Sequence, residues 1–413
     1  MQLRKGKKEG GEMDKIFFHI DVNSAYLSWS AIREMERGRK EDLRTIPAIV
    51  GGDINTRHGV VLAKSIPAKA YGIVTGEPVV HAAKKCPSLV SVPPDHTYYH
   101  QKSRELMEYL MTVCPEIEQV SVDECYMDYT PVKECYPSPE EAARIIKNNI
   151  YQSFGYTVNI GISDKKVLAK MASDFQKPNR VHTLYTREIR EKMWPLPIEE
   201  LFMCGKSTAR KLQKLGIETI GDLAQADCRM IEAHLKKHGK LLYDYANGVD
   251  NSLVQATPAR AKGIGNSTTL SSDVTDREEA KKVLAFLAKK VVKRLKEANM
   301  LAGGVCTEIK YSSFQSVSHQ CMLSGVTADE KEICRTACRL FDELWNGEPV
   351  RLLGIRTTKL SDKNEPVQLT IFDYEKVQPK LEKQRKLEEA LGRIRKKYGE
   401  DAVRKGTAEE KTW

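Results

Sequence analysis

At 413 residues the chain has room for about two to four domains and a substantial core. Hydrophobic residues make up 41%, and no apolar run reaches the roughly 18 residues a membrane span requires, so no transmembrane segment is expected. Lys and Arg exceed Asp and Glu by 66 to 56, a net charge of +10 that suits a polyanionic partner without demanding one.

The ten cysteines are scattered without a CxxC pair or an export signal, the usage expected of reduced, mostly buried thiols in a cytoplasmic protein. Cys334 with Cys338, and His234 with His238, each share a helix face, but neither pair has further ligands nearby. Residues 1–14 are basic and Gly-rich with no apolar signal-peptide core, and read as a disordered extension, with Met13 an alternative start.

Folding begins with KIFFHIDV (15–22), an apolar strand that ends on Asp21, followed by the helix NSAYLSWSAIREMERG with Ser24 near its start. An acid at the end of a buried strand is a frequent site position, and helix amides just beyond it could hold phosphate oxygens. An N-capping carboxylate is the plainer alternative. Two β-rich runs follow at 48–50 and 59–63, and beyond them Lys64 and Lys69 flank a Ser-Ile-Pro segment, where they meet phosphates or merely solvate a surface. Residues 78–113 read as a helix, a Pro-rich connection (PSLVSVPPD) and a longer helix.

The stretch EQVSVDECYMDYT (118–130) reads as two short strands, Val120 and Val122 on the first and Cys125, Met127 and Tyr129 on the second, reversing at the adjacent acids Asp123 and Glu124. Like charges about 4 Å apart cost roughly 1 kcal/mol in water and roughly 4 near a protein surface. Either the acids face water in a simple turn, or something positive such as a divalent metal holds them. A helix from Ser138 or Pro139, the strand YTVNIGIS and the helix DKKVLAKMASDFQKPN come next. The lysines of the last, Lys165, Lys166, Lys170 and Lys177, point at a phosphate track or form a solvated face. This order implies an antiparallel sheet with helices on one face. Neighbouring strands of such a sheet would join Asp21 to Asp123 and Glu124 across about a hundred residues. Three carboxylates holding two divalent ions about 3.5 to 4 Å apart are what a nucleotidyltransferase palm uses.

Beyond Met193 the composition changes to short helices, with turns at 203–206 and 215–217 like those of a helix-hairpin-helix, which offers backbone amides to DNA phosphates. The basic linker VQATPARAKGIGN then leads into a readable βαββαβ order.

The segments FHIDVNSAY, GVVLAKSIPAKAYGI, SVDECYMD and NIGISDKKVLAKMASDFQKPN, in this order and with these downstream modules, resemble the Y-family translesion DNA polymerases of the bacterial DNA polymerase IV type, over nearly all of 15–375. The resemblance implies an α+β right-hand polymerase. Palm and fingers would occupy 15–192 (fingers about 35–87), a helix-hairpin-helix thumb 193–252, a linker 253–262, a βαββαβ little finger 263–362, and a clamp-binding tail with a charged C-terminal helix 363–413. It further implies template-directed addition of deoxynucleotides to a primer 3′-end. Asp21, Asp123 and Glu124 would be the catalytic acids, holding with the Val22 carbonyl two Mg2+ ions that Mn2+ could replace. Asn23, Ser24, Ala25, Tyr26, Ser65, Lys69 and Lys177 would contact the incoming nucleotide, Tyr26 standing at the steric-gate position where a flat ring excludes a 2′-hydroxyl. Ile66 and Lys69 replace the family's usual tyrosine and arginine, so one phosphate hydrogen bond is lost and a planar fork becomes a point charge, with the Ser65 hydroxyl as a substitute.

DNA contacts implied in the same way are Gly205, Lys206 and Gly216 in the thumb, where Met203 replaces the usual first glycine, and Lys262, Asn266, Ser267, Thr268 and Arg356 in the little finger. QLTIF resembles a sliding-clamp-binding peptide, with Gln368 as polar anchor and Leu369, Ile371 and Phe372 as apolar plugs. The implied partners are primer-template DNA, an incoming dNTP and a sliding clamp, for a monomer in the cytoplasm, associated with the nucleoid when on DNA. A non-catalytic scaffold of the same fold would not need the three acids and Tyr26, and a palm-type nucleotide cyclase would not need the hairpin and clamp peptide.

Overall fold

The computed structural model describes residues 15–53, 59–257 and 260–364, together with a few single positions between 386 and 397. The N-terminal extension, the clamp-type peptide at 368–372 and most of the charged C-terminal helix lie outside the described residues. Two units divide at residues 260 and 261.

The first unit runs β1 (Phe17–Val22), α1 (Ala25–Glu36), β2 (Ala48–Gly51), β3 (Val61–Lys64), α2 (Ile66–Ala70), α3 (Val79–Lys85), β4 (Val90–Val92), α4 (His96–Val113), β5 (Ile117–Gln119), β6 (Glu124–Asp128), α5 (Pro139–Phe154), β7 (Val158–Ser163), α6 (Lys166–Asp174) and β8 (Val181–Thr183). Helices α7 (Ile189–Lys192), α8 (Lys206–Gln213), α9 (Ile220–Gln225), α10 (Cys228–Leu235) and α11 (Lys237–Ala246) complete it. Its main sheet has the order β5-β6-β1-β7-β8, with β1 antiparallel to both neighbours and β8 parallel to β7. A second sheet, β3-β2-β4, pairs β2 with β4 in parallel.

All six residues of β1 are buried. Phe18, Ile20 and Val22 enter a core with Trp29 of α1, Leu106 and Leu110 of α4 and Ile146 and Ile150 of α5. The opposite face carries His19, bonded to Ser173 of α6. Helices therefore cover both faces of the central strands, where one covered face was expected. The residues that alternate with the apolar set, Phe17 and His19 on β1 and Asn159, Gly161 and Ser163 on β7, are buried as well. The sheets also depart from pure antiparallel order, because the α6 crossover returns the chain parallel to β7.

Local signals fix the helix ends. Ser138 accepts the Glu141 amide to cap α5, Pro139 starts it, and Gly155 closes it in the left-handed conformation. Helix α6 lies so close to β7 that a Cβ on Gly161 would come 2.0 Å from the Ala169 carbonyl oxygen. The Pro-rich connection PSLVSVPPD contains β4, a three-residue strand that takes the free edge of β2. Leu184, Ile198, Leu212, Ile220, Leu223 and Leu242 form the core of the small helices together with Leu168 and Met171 of α6.

The second unit follows the βαββαβ order as β9 (Gly263–Val274), α12 (Arg277–Glu297), β10 (Met300–Tyr311), β11 (Ser316–Thr327), α13 (Glu330–Leu344) and β12 (Val350–Asp362). Its antiparallel sheet has the order β11-β10-β12-β9. Leu284, Leu287 and Val291 of α12 and Ile333, Leu340 and Phe341 of α13 bury one face of it. Strand β9 begins at Gly263, earlier than its β-branched run suggests, because Gly263 and Gly265 dilute the strand signal. All ten cysteines are free thiols. No described helix is long and apolar enough to cross a membrane.

Candidate active site

The site grows from the pairing of β1 with β6. Their register places Asp21 directly opposite Glu124, and the Val22 amide donates to the Asp123 carbonyl at 3.0 Å. Three acids from two distant segments thus end at one edge of the sheet. The reversal before β6 is held by Ser121, whose Oγ accepts the Asp123 and Glu124 amides and donates to Asp123 Oδ1 at 2.6 Å. Strand β5 ends at Gln119, so Val120, expected on the strand, stands in the reversal and is 53% exposed.

Lysines hold the acids. Lys177 Nζ donates to Asp21 Oδ2 at 2.8 Å and pairs with Asp174 at 2.9 Å. Lys170 Nζ reaches Glu124 at 2.9 Å, Asp174 at 3.2 Å and Asp21 at 3.6 Å. Lys170 is only 9% exposed, and neither a solvated face nor a phosphate track describes it. Burial alone would lower the Lys170 ammonium, but Asp174, Glu124 and Asp21 outweigh it and hold the group charged. Lys177 is raised in the same way, with Asp21 and Asp174 overcoming burial. Burial nonetheless pushes the Asp21 carboxyl above its ordinary value, against the pull of Lys177 and Lys170. Beneath the acids, His19 lies 3.9 Å from Glu124, and burial, Lys170 and Lys177 keep its ring neutral.

Lys166, read from sequence beside Lys170, serves elsewhere. Its Nζ donates to Glu118 at 2.6 Å and to the Leu253 carbonyl at 3.1 Å, and Glu118 also takes the Gln255 amide. This lysine ties residues 253–255 to the sheet rather than meeting solvent.

A cleft of about 460 Å³ opens beside the acids. Asp21, Val22, Asn23, Ser24, Ala25, Tyr26, Ser65, Lys69, Asp123 and Lys177 all line it, with Leu62, Ala63, Lys64, Ile66, Thr75 and Pro178. Glu124 is not in its wall. Ser24 occupies the N-cap position of α1 in the left-handed conformation without capping through its side chain, and Asp21 is no cap either. The Tyr26 ring is stacked on Tyr99 at 4.7 Å, and Tyr99 is tied through its hydroxyl to Ser30.

Asn23 and Asn159 have a structural task that the sequence reading of Asn23 missed. Asn23 Nδ2 donates to Asn159 Oδ1 and Asn23 Oδ1 accepts the Asn179 amide, while Asn159 Nδ2 donates to the carbonyls of Ser173 and Gln176. These two buried amides pin the Lys177 loop against the end of β1. Ser65, expected to offer its hydroxyl to a nucleotide, is 2% exposed; its Oγ accepts the Ala48 and Ala68 amides and donates to the Ile46 carbonyl. It caps α2 and has no proton left for a phosphate.

Among the described residues no three His, Cys, Asp or Glu side chains form a ready metal cage, Asp123 being turned to Ser121 and the others to lysines. The donor chemistry nevertheless fits a hard divalent cation: carboxylate oxygens and a backbone carbonyl, around an Asp21 that two ammonium groups leave undercompensated.

The remaining expected contacts fall into two places. In the helical hairpin Gly205 is the N-cap of α8, Lys206 its first residue, and Gly216 turns at φ +79°. Met203 adopts φ +70° where a glycine was expected. In the second unit, register puts Arg356 opposite Gly265 and Ser267 opposite Gly354, and all four line a shallow pocket on the sheet. Strand alternation gives Asn266 and Thr268 the parity of buried Ile264, Leu270 and Ile355, yet both stay half-exposed and Asn266 also lines the pocket. Ser267 and Arg356 are the strand residues of outward parity, and Lys262 precedes the strand.

The impB/mucB/samB family model matches residues 20–174, and the model of that family's C-terminal domain matches 261–371. DNA polymerase IV of Clostridium acetobutylicum is 44% identical over 399 residues, 97% of this chain and 99% of that protein. DNA polymerase IV of Clostridium kluyveri is 36% identical over 405 residues, 97% of this chain and 100% of that protein. Among solved structures, a Y-family DNA polymerase chimera assembled from Dbh and Dpo4 shares the fold with a TM-score of 0.76 at 22% identity, covering 84% of this chain and 99% of the chimera.

Proposed function

The chain belongs to the impB/mucB/samB family of Y-family DNA polymerases, and from that premise we propose that Asp21, Asp123 and Glu124 form its catalytic centre. The protein is a translesion DNA polymerase of the DNA polymerase IV kind, a DNA-directed nucleotidyltransferase that acts on primer-template DNA and dNTPs. The observation that carries the assignment is the cross-strand register of Asp21 with Glu124, with Asp123 joined to Val22 through the backbone.

Asp21, Asp123, Glu124 and the Val22 carbonyl would hold magnesium, with manganese able to replace it. Such ions, when bound, supply charge stabilisation for the attacking and leaving oxygens of the phosphoryl transfer. Residues 15–192 would then be palm and fingers, with the nucleotide in the cleft between Tyr26 and the lysines. Lys177 sits where it can exchange Asp21 for a phosphate oxygen, and the two asparagines keep its loop in place. Tyr26, fixed by Tyr99, would lie under the sugar and exclude a 2′-hydroxyl. The amides around Gly205, Lys206 and Gly216 would hold DNA phosphates as a thumb, and Ser267 and Arg356 would meet the duplex as part of a little finger, with Lys262 beside them. Gln368, Leu369, Ile371 and Phe372 would dock a sliding clamp, so deleting 368–372 should lower clamp-stimulated synthesis and spare unstimulated synthesis. The enzyme would act as a cytoplasmic monomer.

Primer extension with magnesium tests the centre. Asp21→Ala and Glu124→Ala should each abolish it while leaving primer-template binding nearly intact, and persistent extension would remove these acids from the reaction.

A further inference from the structure

We propose that Lys64 is a triphosphate-binding residue of the polymerase cleft, supplying with Lys69 the grip that Ile66 and Ser65 do not provide. This rests on reading the cleft as the nucleotide site. Lys64, the last residue of β3, lines that cleft together with Lys69 and Lys177. Asp21 and Asp123 line it as well, so acids for cations and ammonium groups for phosphates share one concave space.

Its neighbours cannot do the same work. Ile66 is apolar and 64% exposed, and the Ser65 hydroxyl is consumed by Ala48, Ala68 and Ile46. A nucleoside triphosphate brings about four negative charges to a site where phosphoryl transfer depends on positioning and electrostatics. Beside the cations, Lys69 and Lys177 are the other ammonium groups of the cleft, fewer donors than the phosphate oxygens accept.

Lys64 is also underused where it stands. Its Nζ donates to the neutral Thr75 hydroxyl at 3.2 Å, and no ion pair holds it among the described residues. The nearby carboxylate, Glu77, is taken by Lys85 at 2.6 Å. Burial first, and then the Lys69 charge, lower the Lys64 ammonium from its ordinary value against the weaker pull of Glu77, an arrangement that an anion between the two lysines relieves. A phosphate oxygen displaces the hydroxyl because it brings a full opposite charge to the ammonium, where the hydroxyl offers only a dipole.

The test measures equilibrium binding of the next correct dNTP, with magnesium, to enzyme on a dideoxy-terminated primer-template, alongside single-nucleotide insertion kinetics. Lys64→Met keeps the aliphatic stem and removes the charge. It should weaken dNTP binding and raise KM about tenfold, with kcat and DNA binding changed by less than about twofold. Lys64→Arg should recover most of the affinity, and Lys64→Gln replaces the methionine variant if that one does not fold. Thr75→Val, which frees the ammonium without deleting it, should leave affinity within about twofold. Unchanged affinity in Lys64→Met beside a loss in Lys177→Met overturns the assignment but keeps the cleft as the nucleotide site. Unchanged affinity in both overturns the nucleotide reading of the cleft. An equal loss in Thr75→Val and Lys64→Met makes the lysine a strut of the loop and also overturns the proposal.

Discussion

Lys170 shows how much of this site depends on single groups. It lies among Asp21, Glu124 and Asp174, and removing one partner of a buried charge cluster leaves the others uncompensated. Asp174 and Glu124 are partly wet, so Lys170→Met should cost about 2 kcal/mol, below the roughly 3–5 of a fully buried pair. Chemical denaturation in a chelator measures that loss, and magnesium should restore part of it by supplying the missing positive charge. A magnesium response equal to that of the unaltered protein would separate Lys170 from the metal site. Tyr26→Ala should admit ribonucleotides by removing the ring that Tyr99 holds, and unchanged sugar discrimination would end the gate assignment. The three acids were readable as candidates because they stand at strand ends. The inward turn of Lys166 and Lys170 was not, because lysines at helical spacing look the same whether they face water or carboxylates tens of residues away.

At the scale of elements, close packing sets the tolerances. Gly161→Ala would press a methyl into the backbone of α6, at Ala169 and Ser173, and should destabilise the protein by about 3 kcal/mol or more in thermal or chemical unfolding. Met203 presents the opposite case, a non-glycine residue in the left-handed region whose side chain is 52% exposed. Met203→Gly should stabilise by roughly 0.5 kcal/mol, the relief of about 1–2 kcal/mol of left-handed strain less the added freedom of the unfolded chain. A lower melting temperature would mean that the Met203 side chain contributes packing its exposure hides. Element types and order in the second unit were legible from periodicity. Strand β4 was not, since three residues among prolines carry no period, and the inward parity of Asn266 and Thr268 emerges only once the register with β12 is known.

Over the whole molecule, the +10 charge gains meaning from the polymerase function. Primer-template affinity should fall with salt with a logarithmic slope of about −0.9 per phosphate neutralised, and a flat response would deny the basic residues that role. The order of motifs was enough to indicate the fold, but the parallel β7–β8 and β2–β4 pairings and the helices on both sheet faces are non-local choices that short patterns do not encode. That Asp21, Asp123 and Glu124 act as one centre is checked by Asp123→Asn, which keeps an oxygen for the Ser121 hydroxyl and removes only the charge. Primer extension and primer-template binding should be measured on the same preparation. Extension should fall by about a thousandfold or more while DNA affinity stays within about twofold. Extension at the unaltered rate, or a loss fully explained by weaker DNA binding, would contradict it.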